Sequence, residues 1–206
     1  MPKKMGANLA HIDYFMIPLS TFAYLAGDGL EKVAAQHGAT ITYKPFDLMK
    51  VFEETGTPAP AKRHPFRQAY RLQELHRISK RNGLPINVQP AYWPANPVPS
   101  SCAIIAAQNA GGGDVGGLVQ ALLRACFAEE KDIASDSVIE ECLEANGFSA
   151  DLAHSGMLSG VETYGANTEE AMKRGVFGSP FYIVDDELFW GQDRLEYLSE
   201  YLSERS

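Results

Sequence analysis

Apolar and polar positions follow two different periods in the first part of the chain. Residues 12–19 (IDYFMIPL) are rich in β-branched and aromatic types, which predicts a buried strand. Residues 21–37 carry apolar side chains at roughly helical spacing and end before Gly38, a residue type that commonly closes helices. Residues 40–48 (TITYKPFDL) return to alternation and predict a second strand. The chain therefore begins with a β-α-β pattern.

The middle of the chain shows helical periodicity interrupted by loops rich in proline and glycine. Residues 53–65 predict a loop, and helical spacing returns over 66–82. A long proline-laden connection follows (NGLPINVQPAYWPANPVPS), of a kind that is often functional in compact domains. Further helices are predicted at about 100–110, 115–129, 135–146 and 150–175. In the last of these we expect a break near 164–167, with Thr168 capping the second half.

The end of the chain has a β-β-α pattern. Residues 181–184 and 187–190 predict strands on either side of a turn, and a helix is predicted from about 192. A chain that begins β-α-β, inserts helices and ends α-β-β-α belongs to the α/β class and fits a thioredoxin-like fold with an all-helical insertion. We expect a thioredoxin-like domain from residues 1–51 plus 161–206, and a helical insertion domain from residues 52–160.

Composition and charge narrow the classes of function. The 206 residues include 18 Lys and Arg against 26 Asp and Glu, for a formal net charge of −8. This acidic balance argues against a nucleic-acid partner, because phosphate binding favours basic surfaces. No apolar stretch approaches the length of about 18 residues that a membrane span needs, and the basic N-terminal segment lacks an apolar core. We therefore expect a cytoplasmic protein that does not span a membrane.

Cysteine and histidine positions argue against redox and metal chemistry. Cys102, Cys126 and Cys142 form no C-x-x-C pair, and each falls within a predicted helix. Reduced, structural thiols are the simplest interpretation. The five histidines show no close metal-ligand spacing, so no metal site is predicted.

Two positions next to predicted strands are candidates for chemistry. Ser20 lies where the first strand meets a helix, and free backbone N–H groups at a helix start favour an anion. Its hydroxyl can be a plain N-cap, the interpretation that local sequence favours, or it can donate a hydrogen bond to a thiolate from a ligand such as glutathione. Pro180 precedes a strand, where a cis peptide bond would expose the backbone of Ser179 to a ligand. Sequence alone favours the trans form, since only about one X–Pro bond in twenty is cis.

Charged and aromatic residues in two loops offer further binding groups. Gln192 and Asp193 can cap the last helix, or Asp193 can bind an ammonium group, while Arg194 can bind a carboxylate or be solvated. Lys62 and Arg63 concentrate positive charge in a loop of an acidic protein, which predicts either a carboxylate site or a solvated loop. The aromatic pair in AYWPANP can line a pocket or pack into the core.

Taken together, these segments resemble the 2-hydroxychromene-2-carboxylate isomerases, relatives of the kappa-class glutathione transferases in the DsbA-like branch of the thioredoxin superfamily. The resemblance spans about residues 12–202. Its most specific part is RGVFGSPFYIVDDELFWGQDRLEYL, and GLP and ANTEEA also match. The N-terminal match is looser, because Thr21 replaces the usual proline after the serine and Ala23 replaces the usual second serine.

The resemblance implies a role for each candidate residue. Ser20 would activate the sulfur of glutathione, and Ser179, before a cis Pro180, would bind its cysteinyl part. The γ-glutamyl end would be held by Gly191, Gln192, Asp193 and Arg194. The organic substrate would lie near Lys62, Arg63 and Asn96.

The function that the resemblance implies is glutathione-dependent cis-trans isomerisation of an aromatic keto acid. Glutathione would be a cofactor, and a small aromatic carboxylate the substrate, with a homodimer as the expected assembly. Two alternatives stay open: a kappa-like glutathione transferase, whose adduct leaves as product, and a redox-inactive thioredoxin-fold binding protein or chaperone. A disulfide oxidoreductase is disfavoured because no cysteine pair has the required spacing.

Overall fold

The computed structural model describes residues 9–205, so most of the basic N-terminal segment, residues 1–8, lies outside the described residues. Within residues 9–205 a four-stranded sheet lies between helices. The strands are β1 (His11–Met16), β2 (Thr40–Pro45), β3 (Phe181–Val184) and β4 (Glu187–Trp190). The helices are α1 (Thr21–Ala26), α2 (Gly29–His37), α3 (Leu48–Thr55), α4 (Pro65–Asn82), α5 (Val98–Ala110), α6 (Val115–Phe127), α7 (Asp136–Ala145), α8 (Leu152–Ser155), α9 (Met157–Lys173) and α10 (Leu195–Glu204).

The order of strands in the sheet is β2-β1-β3-β4. β1 and β2 are parallel, while β3 is antiparallel to both β1 and β4. The register places Tyr14 of β1 between Tyr43 and Tyr182. Strands from the two ends of the chain therefore form one sheet, and the α/β thioredoxin-like prediction is confirmed.

Side chains that alternate along the strands supply two hydrophobic cores. On one face, Tyr14 and Tyr182 stack with ring centres 5.1 Å apart and join the large core formed with α1, α2, α5 to α7 and α10. On the other face, Phe15 and Phe181 pack with Phe46 and with α3 and α9. Because both faces are covered, the central strand β3 is a continuous run of buried apolar residues.

Three predictions about the N-terminal elements are wrong in detail. The helix predicted over 21–37 is divided, because Gly27 adopts a positive φ of 57° after α1 and a new helix starts at Gly29. The strands predicted over 12–19 and 40–48 end at Met16 and Pro45. α3 was not predicted: the side chain of Asp47 caps it by accepting hydrogen bonds from the backbone of two residues that follow, and its Val51 and Phe52 are buried.

The C-terminal half corrects two further predictions. α9 is continuous from Met157 to Lys173, so the break expected near 164–167 is absent from this described helix and Thr168 is not a cap. Thr168 Oγ1 instead donates to the backbone oxygen of Tyr164 at 2.8 Å and accepts from the backbone nitrogen of Asp47 at 2.9 Å. The last helix begins at Leu195, later than the expected position near 192. The helices predicted over 100–110, 115–129 and 135–146 match α5, α6 and α7 closely.

A network of four charged side chains joins α9 to the sheet. Arg174 donates to Asp13 at 2.6 Å and to Glu170 at 2.8 Å, while Lys44 lies 3.3 Å from Asp13 and 2.6 Å from Glu170. Burial alone raises the pKa of Asp13, but the hydrogen bond from Arg174 and the charges of Lys44 and Arg174 outweigh it and hold the pKa below its usual value. The network therefore favours the ionised carboxylate in the folded state.

The division into 1–51 plus 161–206 and 52–160 stays a prediction, and its two boundaries fall inside α3 and α9. Among residues 9–205, no helix combines the length and the apolar character that crossing a bilayer requires.

Candidate active site

Ser20 occupies the turn between β1 and α1 and is almost fully buried. Its extended backbone (φ −92°, ψ 111°) places the side chain over the start of the helix, where Oγ accepts a hydrogen bond from the backbone nitrogen of Ala23 at 3.1 Å. The capping role is therefore present in the structure. It leaves the hydroxyl proton of Ser20 free to donate elsewhere.

That proton points to the loop before β3. Ser20 Oγ donates to the backbone oxygen of Ser179 at 3.0 Å, and Ser179 Oγ accepts from the backbone nitrogen of Ile17 at 3.2 Å. The Ser179–Pro180 peptide bond is cis. The resemblance implied this form, whereas the sequence alone favoured the trans form. The two serines are 159 positions apart in the chain and yet form one hydrogen-bonded unit.

The segment after β4 is attached to the same loop. The backbone nitrogen of Gly191 donates to the backbone oxygen of Pro180 at 3.0 Å. Gly191 has a φ of 116°, which L side chains rarely adopt, and a Cβ here would lie 2.6 Å from Asp193 Oδ1. Glycine at this position therefore allows the acidic side chain to fold over the backbone. Thus Ser20, the Ser179–Pro180 loop and Gly191 converge at one end of the strands, where β1 and β4 finish and β3 begins.

Asp193 and Arg194 are both exposed and pair with each other, with Arg194 Nη1 2.7 Å from Asp193 Oδ2. The prediction that Gln192 or Asp193 caps the last helix is wrong, because the cap residue of α10 is Arg194 and no side chain bonds to the helix start. The Asp193 carboxylate and the Arg194 guanidinium thus lie beside Gly191 and are accessible to a ligand.

The basic loop lies across a cavity of about 330 Å³ from the segments that flank Pro180 and Gly191. Arg63 lines this cavity together with Arg67, Phe177 and Trp190. Arg63 Nε donates to the backbone oxygen of Pro58 at 3.1 Å, and its guanidinium lies 5.7 Å from the centre of the Phe52 ring. The cavity combines two guanidinium groups with two aromatic rings, a chemistry that suits an aromatic carboxylate.

Lys62 and Asn96 are exposed and are not among the residues that line this cavity. Lys62 ends the short 3-10 helix at Pro60–Lys62. Asn96 Oδ1 accepts from the backbone nitrogen of Val98 at 3.1 Å, beside the start of α5. The substrate-binding roles of both residues stay predictions. Trp93 is partly exposed and packs against Phe127 with ring centres 5.6 Å apart, so it combines core packing with an accessible edge.

A model of the DSBA-like thioredoxin domain matches residues 11–203. The chain belongs to the DsbA-like thioredoxin family. Relatives named 2-hydroxychromene-2-carboxylate isomerase are 28% identical over 198 residues in Sphingobium xenophagum and 29% identical over 192 residues in Pseudomonas putida. The first match covers 93% of this chain and 97% of the relative, and the second covers 89% and 90%. The resemblance identified from the sequence motifs is thereby confirmed.

Solved structures share the fold of this chain. A 2-hydroxychromene-2-carboxylate isomerase superposes with a TM-score of 0.75 at 25% identity and covers 94% of this chain and 95% of its own. The cytosolic disulfide reductase DsbM from Pseudomonas aeruginosa, solved with GSH, superposes with a TM-score of 0.62 at 20% identity over 95% of each chain. At that identity the second likeness concerns the fold alone.

The cysteines of this DsbA-like chain lie away from the strand-helix junction. Cys102, Cys126 and Cys142 are free, buried and placed within α5, α6 and α7. Burial raises the pKa of Cys102 and Cys142 to about 11, and burial together with the nearby Asp132 raises that of Cys126 to about 12. Thiols in this state are poor nucleophiles at neutral pH. In residues 9–205, no three His, Cys, Asp or Glu side chains are grouped so as to hold a metal ion.

Sequence reasoning missed Arg67 and Arg71, which continue the basic stretch along α4. Arg67 lines the cavity, and Arg71 Nη2 donates to Thr21 Oγ1 at 2.8 Å, next to Ser20. The spacing of these arginines could have indicated them, because positions 63, 67 and 71 are four residues apart. Residues at this spacing lie on the same side of a helix such as α4. This spacing does not by itself indicate a binding role, because α4 is largely exposed and a charge on such a helix is usually solvated.

Proposed function

We propose that this chain is a glutathione-dependent isomerase that changes the double-bond geometry of an aromatic keto acid. The relatives' name supports an isomerase of 2-hydroxychromene-2-carboxylate, and the resemblance of the site residues supports glutathione as the cofactor. The observation that carries the proposal is the hydrogen-bonded pair of Ser20 and the cis Ser179–Pro180 loop. A hydroxyl stands where redox members of the superfamily place a reactive cysteine, so the sulfur has to come from a ligand. We also propose a homodimer, which the resemblance implies, and a cytoplasmic location, which the sequence analysis predicts.

The residues around the pair fit the groups of glutathione. The tripeptide carries a thiol, an ammonium group, two carboxylates and a peptide backbone. Ser20 offers a hydroxyl donor for the thiolate, and Ser179 offers backbone groups for the cysteinyl part. Asp193 and Arg194 offer one charge of each sign for the γ-glutamyl end, beside the sharp turn at Gly191.

When bound, glutathione supplies a thiolate that adds reversibly to a conjugated double bond, which permits rotation before elimination. Ser20 favours the thiolate by donating a hydrogen bond, and the nearly complete burial of the hydroxyl limits competition from water. Arg63, on the wall of the cavity, places positive charge near the substrate, while Phe177 and Trp190 can contact its ring. These residues act by binding and orientation, which suits a reaction with no net redox change.

The test combines calorimetry with product analysis. The proposal expects saturable glutathione binding, conversion of 2-hydroxychromene-2-carboxylate to its isomer, and no net loss of glutathione during turnover. Stoichiometric loss of glutathione would instead indicate the transferase. If the protein bound no glutathione at all, the enzyme proposal would fail and the binding-protein alternative would replace it.

A further inference from the structure

Arg71 brings a guanidinium group to the residue that follows Ser20. It reaches from α4 to the start of α1, where Nη2 donates to Thr21 Oγ1 at 2.8 Å. The guanidinium carbon lies 5.8 Å from the centre of the Phe22 ring, so the aromatic side chain supports the planar group. Thr21 is 2% exposed, so its hydroxyl lies within the packed core. The guanidinium is therefore held at the start of α1, in contact with the residue that follows Ser20.

This cation has no counter-ion within the described part of the chain. No carboxylate of residues 9–205 lies within ion-pair distance of Arg63, Arg67 or Arg71, whereas Arg77 on the same helix pairs with Glu74. Partial burial lowers the pKa of Arg71, and repulsion from Arg63 lowers it further. A half-buried guanidinium that also faces like charge is unfavourable without an anion.

The remaining donors of Arg71 suit a planar anion. A guanidinium carries five N–H groups in a fixed fork, and the contact with Thr21 uses one of them. Two parallel N–H groups can therefore donate hydrogen bonds to both oxygens of a carboxylate, a bidentate geometry that lysine cannot reproduce. Thr21 fixes the orientation of the fork. The hydrogen bond between Arg71 and Thr21 depends on the threonine hydroxyl. In the family that the chain resembles, this position is usually proline, whose side chain has no donor or acceptor.

We propose that Arg71, oriented by Thr21, binds the carboxylate of a ligand next to Ser20. The proposal rests on the proposed function for the identity of that ligand: the carboxylate belongs either to the aromatic substrate or to the glycine end of glutathione. Arg67 and Arg63 extend the positive charge from this point to the cavity, so an approaching anion meets attraction along the whole path.

The experiment compares acids with neutral amides of the same shape. One pair of probes is trans-cinnamate and trans-cinnamamide, titrated with and without glutathione, and the other is glutathione and its glycine carboxamide. In the unmodified protein one acid should bind at least roughly tenfold more tightly than its amide, as expected for a charged bidentate contact. Arg71→Gln should abolish that preference, and the pair that responds identifies the source of the carboxylate.

Three further variants separate binding from structural support. Arg71→Lys keeps the charge and should retain only part of the preference, because the fork is lost. Thr21→Val should weaken the preference to a smaller extent by releasing the guanidinium. Arg81→Gln, an exposed position in the last turn of α4, is the matched control and should leave it unchanged.

Equal affinity for acid and amide in both pairs, or a preference that survives in Arg71→Gln, would overturn the proposal. Its failure can be told apart from failure of the proposed function. The cinnamate pair tests Arg71 even if glutathione does not bind, and the proposed function is tested by glutathione binding to the unmodified protein, in which Arg71 is intact.

Discussion

Replacing Ser20 with alanine tests whether its hydroxyl stabilises a bound thiolate. A free thiol titrates near pH 8.5, and each unit of pKa shift corresponds to about 1.4 kcal/mol. A hydrogen bond to a charged group contributes about 1.5–3 kcal/mol. In the structure the hydroxyl proton already serves Ser179, and giving up that neutral bond costs about 0.5–1.5 kcal/mol.

At the midpoints of these ranges the net stabilisation by Ser20 is about 1.3 kcal/mol, or roughly one unit of thiol pKa. The N-terminal end of α1 also stabilises a thiolate through the helix dipole. Because α1 has only six residues, this contribution is near the low end of about 0.3–1 kcal/mol, and Ser20→Ala retains it. Ser20→Ala should raise the pKa of bound glutathione by about one unit and slow turnover roughly tenfold at neutral pH. The difference in turnover should shrink at alkaline pH, where the thiol is ionised in both proteins.

The assay is the ultraviolet absorbance of the thiolate of bound glutathione against pH, with both proteins side by side. Loss of the cap should also cost about 1 kcal/mol of folding stability. Asp114→Ala is the matched control, since it removes the cap at the start of α6, where Asp114 accepts from Gly117, and it should leave the titration unchanged. Overlapping titrations of wild type and Ser20→Ala would show that Ser20 is only a cap.

Three further predictions address the rest of the site and the fold. Asp193→Asn keeps the shape of the side chain but removes its charge, so calorimetry should show glutathione affinity lowered roughly tenfold or more, and unchanged affinity would count against contact with the ammonium group. Replacing all three buried cysteines with alanine or serine should leave glutathione-dependent turnover largely intact, and its loss in a variant with a native circular dichroism spectrum would contradict this. Asp13→Asn should lower stability by about 1.5–3 kcal/mol at neutral pH, because it removes the charged acceptor of the hydrogen bond from Arg174. The stabilisation by Asp13 is present above its unfolded pKa of 3.8 and is lost as the pH falls through the folded value, so urea unfolding curves of the two proteins should converge in acid. A difference that persists undiminished in acid would refute this account.

Local pattern in the sequence determined the elements whose signal is complete within a short window. Short segments of strand-forming residues on either side of a turn identified β3 and β4, and helical spacing located α5, α6 and α7 to within about two residues. The motifs around Pro180 and Gly191 pointed to the right loops, because turns and close backbone approaches restrict the residue types that fit. The buried cysteines likewise followed from the helices that contain them.

Tertiary contacts decided the features that depend on partners far away in the chain. Leu48 and Val51 stabilise α3 only because the sheet face that carries Phe15 packs against them. Thr168 was expected to cap a helix, but it lies inside α9, where its hydroxyl bonds to the backbone of Asp47 and Tyr164.

The candidate site shows the same division between local and long-range information. Ser20 was recognisable from the strand-helix junction, but its hydrogen bond to Ser179 closes a separation of 159 residues. In the sequence, Arg71 is one charge among many on a predicted helix. Only the fold places it against Thr21, 50 positions away. Residue type and spacing thus determined which side chains could do chemistry. Only the packing of the two chain ends and α4 around one sheet decided which of them meet, because that depends on free energy gained by the whole core and not by any one segment.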